Sequence, residues 1–386
     1  HLRLCNAERG DAGVASPPLG RQFFPPSQTF LHGLSDSLPL GGPGPPPLHP
    51  FSSGYALVKE ETDLFENRFL KASLEDVARV VYNSRGESMI AGLLLLDKPQ
   101  DASSFDMVRE VKGILKVKKV GHFGTLDPMA TGLLLIALDQ ATKFFDLFQE
   151  RSKTYRATVE LGVCTDTYDM TGTVLRRKSV SVSEGELKEA LNRFLGDILQ
   201  VPPMFSAKKH QGQPLYKLAR EGKSIEREPV KVRIESLNLT EFSSSSFSFD
   251  VTTSSGTYIR SLANDIGELL GTGAALSALR RIRIGDFHVE HAITLEDLRQ
   301  SAEEENYLRY ILPIESIFPE FPKIILTPRG AVLAANGAKV PLEEVAKVEG
   351  VRADYFKLFD DEGRFLCLAK PDIPQRVFRP VVMLQH

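Results

Sequence analysis

Hydrophobic residues along this chain come in short runs whose period changes from segment to segment. Ile90 to Asp97 is an almost unbroken apolar stretch closed by Lys98-Pro99, which predicts a buried strand. Ser103 or Ser104 then caps an expected helix whose face carries Phe105, Val108, Val111, Ile114 and Leu115. A second apolar strand, Leu133 to Leu138, leads to a short helix at Ala141 to Phe148. Lys153 to Val163 alternates as a strand, and Asp169-Met170-Thr171-Gly172 turns the chain toward a partner at Thr173 to Leu175.

Farther on, Ser183 and Glu186 form a capping box ahead of Leu187, Leu191, Phe194 and Leu195, so a helix is expected there. Leu215 to Glu221 reads as another helix, Val230 to Phe242 and Ser246 to Thr253 as strands, and Tyr258 to Leu270 and Ala275 to Arg281 as two further helices. This mixture, with no strict βαβ repeat, implies an α+β fold on a largely antiparallel sheet. Beyond Pro319 to Pro322 come short strands at Ile324 to Leu326, Ala338 to Val340, Tyr355 to Phe359 and Phe365 to Ala369, with Asp361-Glu362-Gly363-Arg364 as a turn. They predict a small β-rich module.

The first part of the chain reads differently. Residues 1–54 are dense in Pro, Gly and Ser and carry no sustained hydrophobic period, the mark of a disordered segment. A helix around Leu70 to Val77 is expected before the chain breaks at Asn83-Ser84-Arg85-Gly86. The division that follows is an extension over residues 1–88, a main domain over 89–318 and a terminal module over 319–386.

Composition narrows the class. With 42% hydrophobic and 25% charged residues the chain has the balance of a globular protein, and no run approaches the ~20 apolar residues of a spanning helix. Cys5, Cys164 and Cys367 stand far apart, without a metal-binding or disulfide pattern, which fits a reducing cytoplasmic setting. A net charge of -3 means that any nucleic-acid surface must be a local patch. Two candidate patches are Lys112, Lys116, Lys118 and Lys119, and Arg280, Arg281 and Arg283.

Asp127 is the candidate for chemistry. Gly121, Gly124 and Gly132 flank it and Pro128 follows it, a combination that sets an irregular backbone and lets another chain come close. Because apolar segments bound the loop, the carboxylate should stand at the edge of a core, placed to act as nucleophile or base.

The run Gly121 to Gly132, GHFGTLDPMATG, resembles the signature loop of the TruB family of tRNA pseudouridine synthases, usually GHTGTLDPLATG. Other segments are similar to that family's motifs in the same order: Gly92 to Pro99 with Ser104, Lys153-Thr154-Tyr155, Gly162 to Gly172 with Asp166 and Asp169, Gln200 to Pro203 with Ser206 to Lys209, Gly256 to Leu262, and Leu279-Arg280-Arg281. Together they cover roughly three quarters of the chain. Phe123 replaces the usual Thr, Phe205 a frequent Tyr, and Gln213 a frequent Arg; the first would alter RNA contact.

The resemblance implies the pseudouridine synthase fold with a C-terminal PUA-like domain, and isomerisation of uridine 55 in the tRNA T loop without cofactor or metal. Asp127 would be the catalytic carboxylate. Arg260 would pair with it, since an opposite charge within ~4–6 Å favours the ionised form. Tyr155 would stack on the extruded uracil, near the proton that must leave. Tyr258 and Leu279 would line the pocket, His122 would fill the gap left in the RNA stack, and Lys143 and Lys98 would meet the RNA. The expected partner is the T arm and acceptor stem of tRNA, bound by a monomer, with no membrane. Two alternatives share the scaffold, a non-catalytic tRNA-binding or tRNA-folding protein and a guide-dependent synthase for ribosomal RNA.

Overall fold

Leu93 to Leu96 and Leu133 to Leu138 are apolar on both faces, and both runs are buried on both faces as neighbouring strands of one sheet. The computed structural model describes residues 80–82, 88–206, 208–223, 225–351 and 353–384. The low-complexity stretch and the helix expected around residues 70–77 lie outside them.

In chain order the main sheet uses Gly92–Lys98 (β1), Val120–Phe123 (β2), Thr131–Leu138 (β3), Lys153–Leu161 (β4), Gly196–Gln200 (β5), Val230–Phe242 (β6), Ser246–Thr253 (β7), Ala274–Ile284 (β8) and Ile311–Pro313 (β9). Across the sheet the order is β9-β1-β3-β8-β4-β7-β6-β5, with β2 added on β3 and Phe287–His288 on β8. Of these pairings only β3 with β8 is parallel. The expectation of a mixed, largely antiparallel sheet in an α+β fold therefore holds.

Helices cover the sheet: Ser104–Leu115 (α1), Glu184–Asn192 (α2), Ile259–Leu269 (α3) and Leu295–Glu303 (α4). The expected capping box forms at Ser183 with Glu186, and of the two cap candidates before α1 it is Ser103 that caps, in a second box with Asp106; each satisfies backbone donors that a helix start leaves open. On β4 the period-2 pattern buries Tyr155, Ala157, Val159 and Leu161 in a core shared with β7, β8, α2 and α3. A separate core joins β1 and β3 to α1 and α4.

Two readings of the sequence are corrected. Ala275 to Arg281 is not a helix but the middle of β8. Its Ala, Leu and Arg content favours a helix, yet the slot between β3 and β4 supplies hydrogen bonds on both sides, and tertiary context prevails. Phe105 does not share the buried face of α1. Ser104, Met107, Val111 and Leu115 face inward, and Phe105, one residue round from that stripe, is 69% exposed.

The C-terminal residues form the expected β-rich sheet, of six strands in the order Val340–Pro341, Val377–Met383, Phe365–Asp372, Phe356–Phe359, Lys323–Leu326, Val345–Glu349, with helix Pro328–Ala335 beside it. Aromatic packing joins it to the helical turn that follows β3: Phe144 lies 5.2 Å from Phe318 and 6.5 Å from Phe365, ring centre to ring centre.

Candidate active site

The glycine-bounded loop between β2 and β3 is held from several sides. Gly124 and Gly132 both adopt positive φ, +95° and +97°, which a side chain would oppose. At Gly132 a Cβ would also stand 2.3 Å from the Arg281 carbonyl oxygen, so the glycine is what lets β3 and β8 pair closely. The Ala130 N–H donates to the Asp127 carbonyl (3.0 Å), closing the turn that presents the Asp127 side chain.

Three side chains fasten this turn. The Ser104 hydroxyl, at the start of α1, accepts from the Leu126 N–H at 2.8 Å and donates to the Leu126 carbonyl at 3.1 Å. Lys98, at the end of β1, donates to the carbonyls of Pro99 (2.7 Å), Ala102 (2.7 Å) and Pro128 (3.3 Å). From β8, Arg281 donates to Leu133 (2.8 Å), Gly124 (3.0 Å) and Thr125 (3.4 Å) carbonyls. Burial without a carboxylate partner pushes Lys98 down to about 8, with the carboxylates of Asp101 and Asp127 opposing that shift.

Arg260 reaches the loop from α3. Its Nε stands 2.8 Å from Asp127 Oδ2 and 3.6 Å from Asp169 Oδ2, so one guanidinium serves two carboxylates. Its remaining donors go to the carbonyls of Phe205 (2.8 Å) and Thr167 (3.2 Å). Asp169 is itself buried, its Oδ1 accepting from Thr167 Oγ1 (2.8 Å) and the Thr171 N–H (3.0 Å). Arg260 is only 5% exposed at its side chain, whereas Asp127 is 36% exposed. The result is a carboxylate anchored on one edge and open on the other.

Around it, Tyr155 from β4 and Leu279 from β8 pack with Leu126, Met129 and Ile259 in one apolar cluster. Tyr258 precedes α3, with its backbone clamped by buried Gln200: the Tyr258 N–H donates to Oε1 (2.8 Å) and Nε2 donates to the Tyr258 carbonyl (3.1 Å). Burial raises the Tyr258 phenol above its ordinary range. His122 is partly buried, and burial first, then the Arg281 charge, lowers its imidazole below the usual value. A carboxylate, two phenols and an apolar floor can receive a planar base and act on it while excluding water.

Not every expected residue is where an RNA could touch it. Lys98 is fully buried and its ammonium is spent on carbonyls, so it supports the loop from below. Lys143 is exposed but donates to the Met383 carbonyl (2.7 Å), tying the helix after β3 to the last strand. Phe123 turns away from the loop surface and stacks on Phe148 at 4.4 Å, so it makes no rim for RNA. Of the two basic runs, Lys112, Lys116, Lys118 and Lys119 are exposed. The arginines are not a surface patch: Arg281 is buried, and Arg280 holds Asp97 in two bonds of 3.0 and 2.7 Å. Asp169, Ser104 and Arg281 lie within the family-like segments, but their contacts with the Asp127 loop and Arg260 are made across distant elements and have no local signal in the sequence.

The comparisons agree with this arrangement. A sequence model described as "TruB family pseudouridylate synthase (N terminal domain)" matches residues 112–259, and "tRNA pseudouridylate synthase B C-terminal domain" matches residues 260–319. The chain is 42% identical over 280 residues to tRNA pseudouridine synthase B of Burkholderia pseudomallei, covering 72% of this chain and 92% of that protein. It belongs to the TruB family of pseudouridylate synthases. Another member, tRNA pseudouridine synthase B of Actinobacillus pleuropneumoniae, is 39% identical over 284 residues, 73% of this chain and 92% of that one. Among solved structures, one from a Cbf5-Nop10-Gar1 complex aligns with a TM-score of 0.58 at 27% identity, over 76% of this chain and 84% of the other. A structure of an H/ACA RNP bound to a substrate RNA containing 2'-deoxyuridine shares the fold, with a TM-score of 0.58 at 24% identity over 76% and 85%. Among the described residues no helix is long and apolar enough to cross a membrane.

Proposed function

We propose that this TruB-family chain converts uridine 55 in the T loop of tRNA to pseudouridine, with Asp127 as the catalytic carboxylate. The observation that carries the reading is the Asp127 carboxylate itself, paired with Arg260 at 2.8 Å yet still 36% exposed beside an aromatic-lined floor. Relatives that this chain matches over 92% of their length bear the name tRNA pseudouridine synthase B, which supports tRNA as the substrate.

Isomerisation breaks the C1′–N1 glycosidic bond, forms C1′–C5, moves a proton off C5 and returns one to the ring. Atoms balance without an external reagent. Asp127 engages either the base or the sugar to release the uracil, and Arg260 keeps it ionised and aimed. Tyr155 supplies the face on which the extruded base stacks and lies near the departing proton; extrusion itself costs a few kcal/mol. Tyr258 and Leu279 bound the pocket, and His122 occupies the space the uridine leaves. The exposed lysines of α1 and the turn after it meet phosphates. The C-terminal sheet acts as a PUA-like domain toward the acceptor stem, and the enzyme works as a cytoplasmic monomer.

The test is to incubate the full chain with an unmodified tRNA transcript, with no other RNA or protein present, and map pseudouridine. Product at uridine 55 is expected, abolished in Asp127→Asn and Asp127→Ala with tRNA binding retained. Conversion by Asp127→Ala at the wild-type rate would falsify the chemistry, and binding without product by the intact chain would favour a non-catalytic tRNA-binding role.

A further inference from the structure

We infer that Arg281 is a positioning residue for the isomerisation, locking Tyr155 and the stem of the Asp127 loop into one rigid unit. This rests on the proposed synthase reading.

Strand register places the residue. Arg281 stands directly opposite Tyr155 in the antiparallel β8–β4 pair, so the two side chains leave the same face of the sheet. It also stands opposite Gly132 in the parallel β8–β3 pair, where the missing Cβ brings the β3 backbone close. From that point the guanidinium spreads along the loop's two stems. Nη2 and Nη1 take the carbonyls of Gly124 and Thr125, just before Asp127, and Nε takes the Leu133 carbonyl just after. The Tyr155 phenol, its cross-strand neighbour, acts favourably on the same guanidinium and opposes the effect of its burial.

Such a group is costly to bury. Arg281 is 1% exposed, and its hydrogen-bond partners among the described residues are backbone carbonyls, with no carboxylate to neutralise it. A merely structural tie between strands would not need a charge there. A planar fork of donors does something an apolar side chain cannot, which is to hold carbonyls on both stems of the loop at once while packing beside Tyr155. The distance between the Asp127 carboxylate and the Tyr155 ring is then set by Arg281, although Arg281 itself is sealed from any substrate.

The separating measurement is kcat against tRNA affinity for Arg281→Lys and Arg281→Met in the full chain. Lysine keeps the charge but cannot fork, so both variants are expected to bind tRNA within about twofold of wild type. Their kcat should fall by about 100-fold, the size of loss that an ångström-scale misplacement of reacting groups brings. Wild-type kcat in Arg281→Lys overturns the inference. So does a loss of tRNA binding in step with kcat, because the residue then serves the fold as a whole. If wild-type protein forms no pseudouridine, the synthase reading fails first and is recognised as such before any variant is compared.

Discussion

The Ser104 hydroxyl both accepts from the backbone N–H of Leu126 and donates to its carbonyl, at 2.8 and 3.1 Å. A single buried side chain at a helix start thus satisfies both main-chain polar groups of the residue that precedes Asp127.

Removing that hydroxyl leaves two buried main-chain groups without partners, at about 1–3 kcal/mol each. Ser104→Ala is expected to lower stability by at least about 2 kcal/mol, measured by denaturant unfolding. Its kcat should fall by at least about tenfold as the Asp127 turn loosens, with tRNA affinity retained. Unchanged kcat in a destabilised variant would show that the turn holds its shape without Ser104.

Phe123 stands where the family usually has Thr, and its ring stacks 4.4 Å from Phe148 inside an aromatic cluster rather than at the loop surface. Phe123→Thr should therefore cost stability by cavity formation, about 3 kcal/mol, while tRNA affinity stays within about twofold. A filter-binding titration that shows tighter or much weaker binding at full folding would contradict the buried role.

Lys98 gives a pH-dependent signature. Its folded value is lowered to about 8 from an ordinary 10.5 by burial, so between those limits the unfolded chain holds a proton that the folded chain has released. Stability contributed by this group consequently rises with pH across that window, and below about pH 8 the buried charge is a constant burden. Lys98→Met removes the term. The stability difference, wild type minus Lys98→Met, is expected to grow from pH 8 to pH 10.5 in paired unfolding experiments; a flat difference refutes the assignment.

Sequence alone was sufficient where information is local. The twelve residues Gly121 to Gly132 announce an irregular, glycine-bounded turn with one carboxylate, and the capping box of Ser183 with Glu186 and the cap candidates Ser103 and Ser104 mark two helix starts. Period-2 and continuous apolar runs located β1, β3, β4, β6 and β7, because those patterns follow directly from which faces a strand must bury. The pairing of Arg260 with Asp127, expected from resemblance, is met at 2.8 Å.

What tertiary structure alone decided is which side chains converge on the turn from a distance. Asp169 competes for Arg260, Arg281 comes across from β8, and Lys98 is drawn beneath Pro128 instead of facing RNA. The same cause turned Ala275 to Arg281 from a helical pattern into a central strand. Hydrogen-bond partners, burial and charge neutralisation are properties of the packed neighbourhood, and that neighbourhood is set by strand register across residues more than a hundred positions apart.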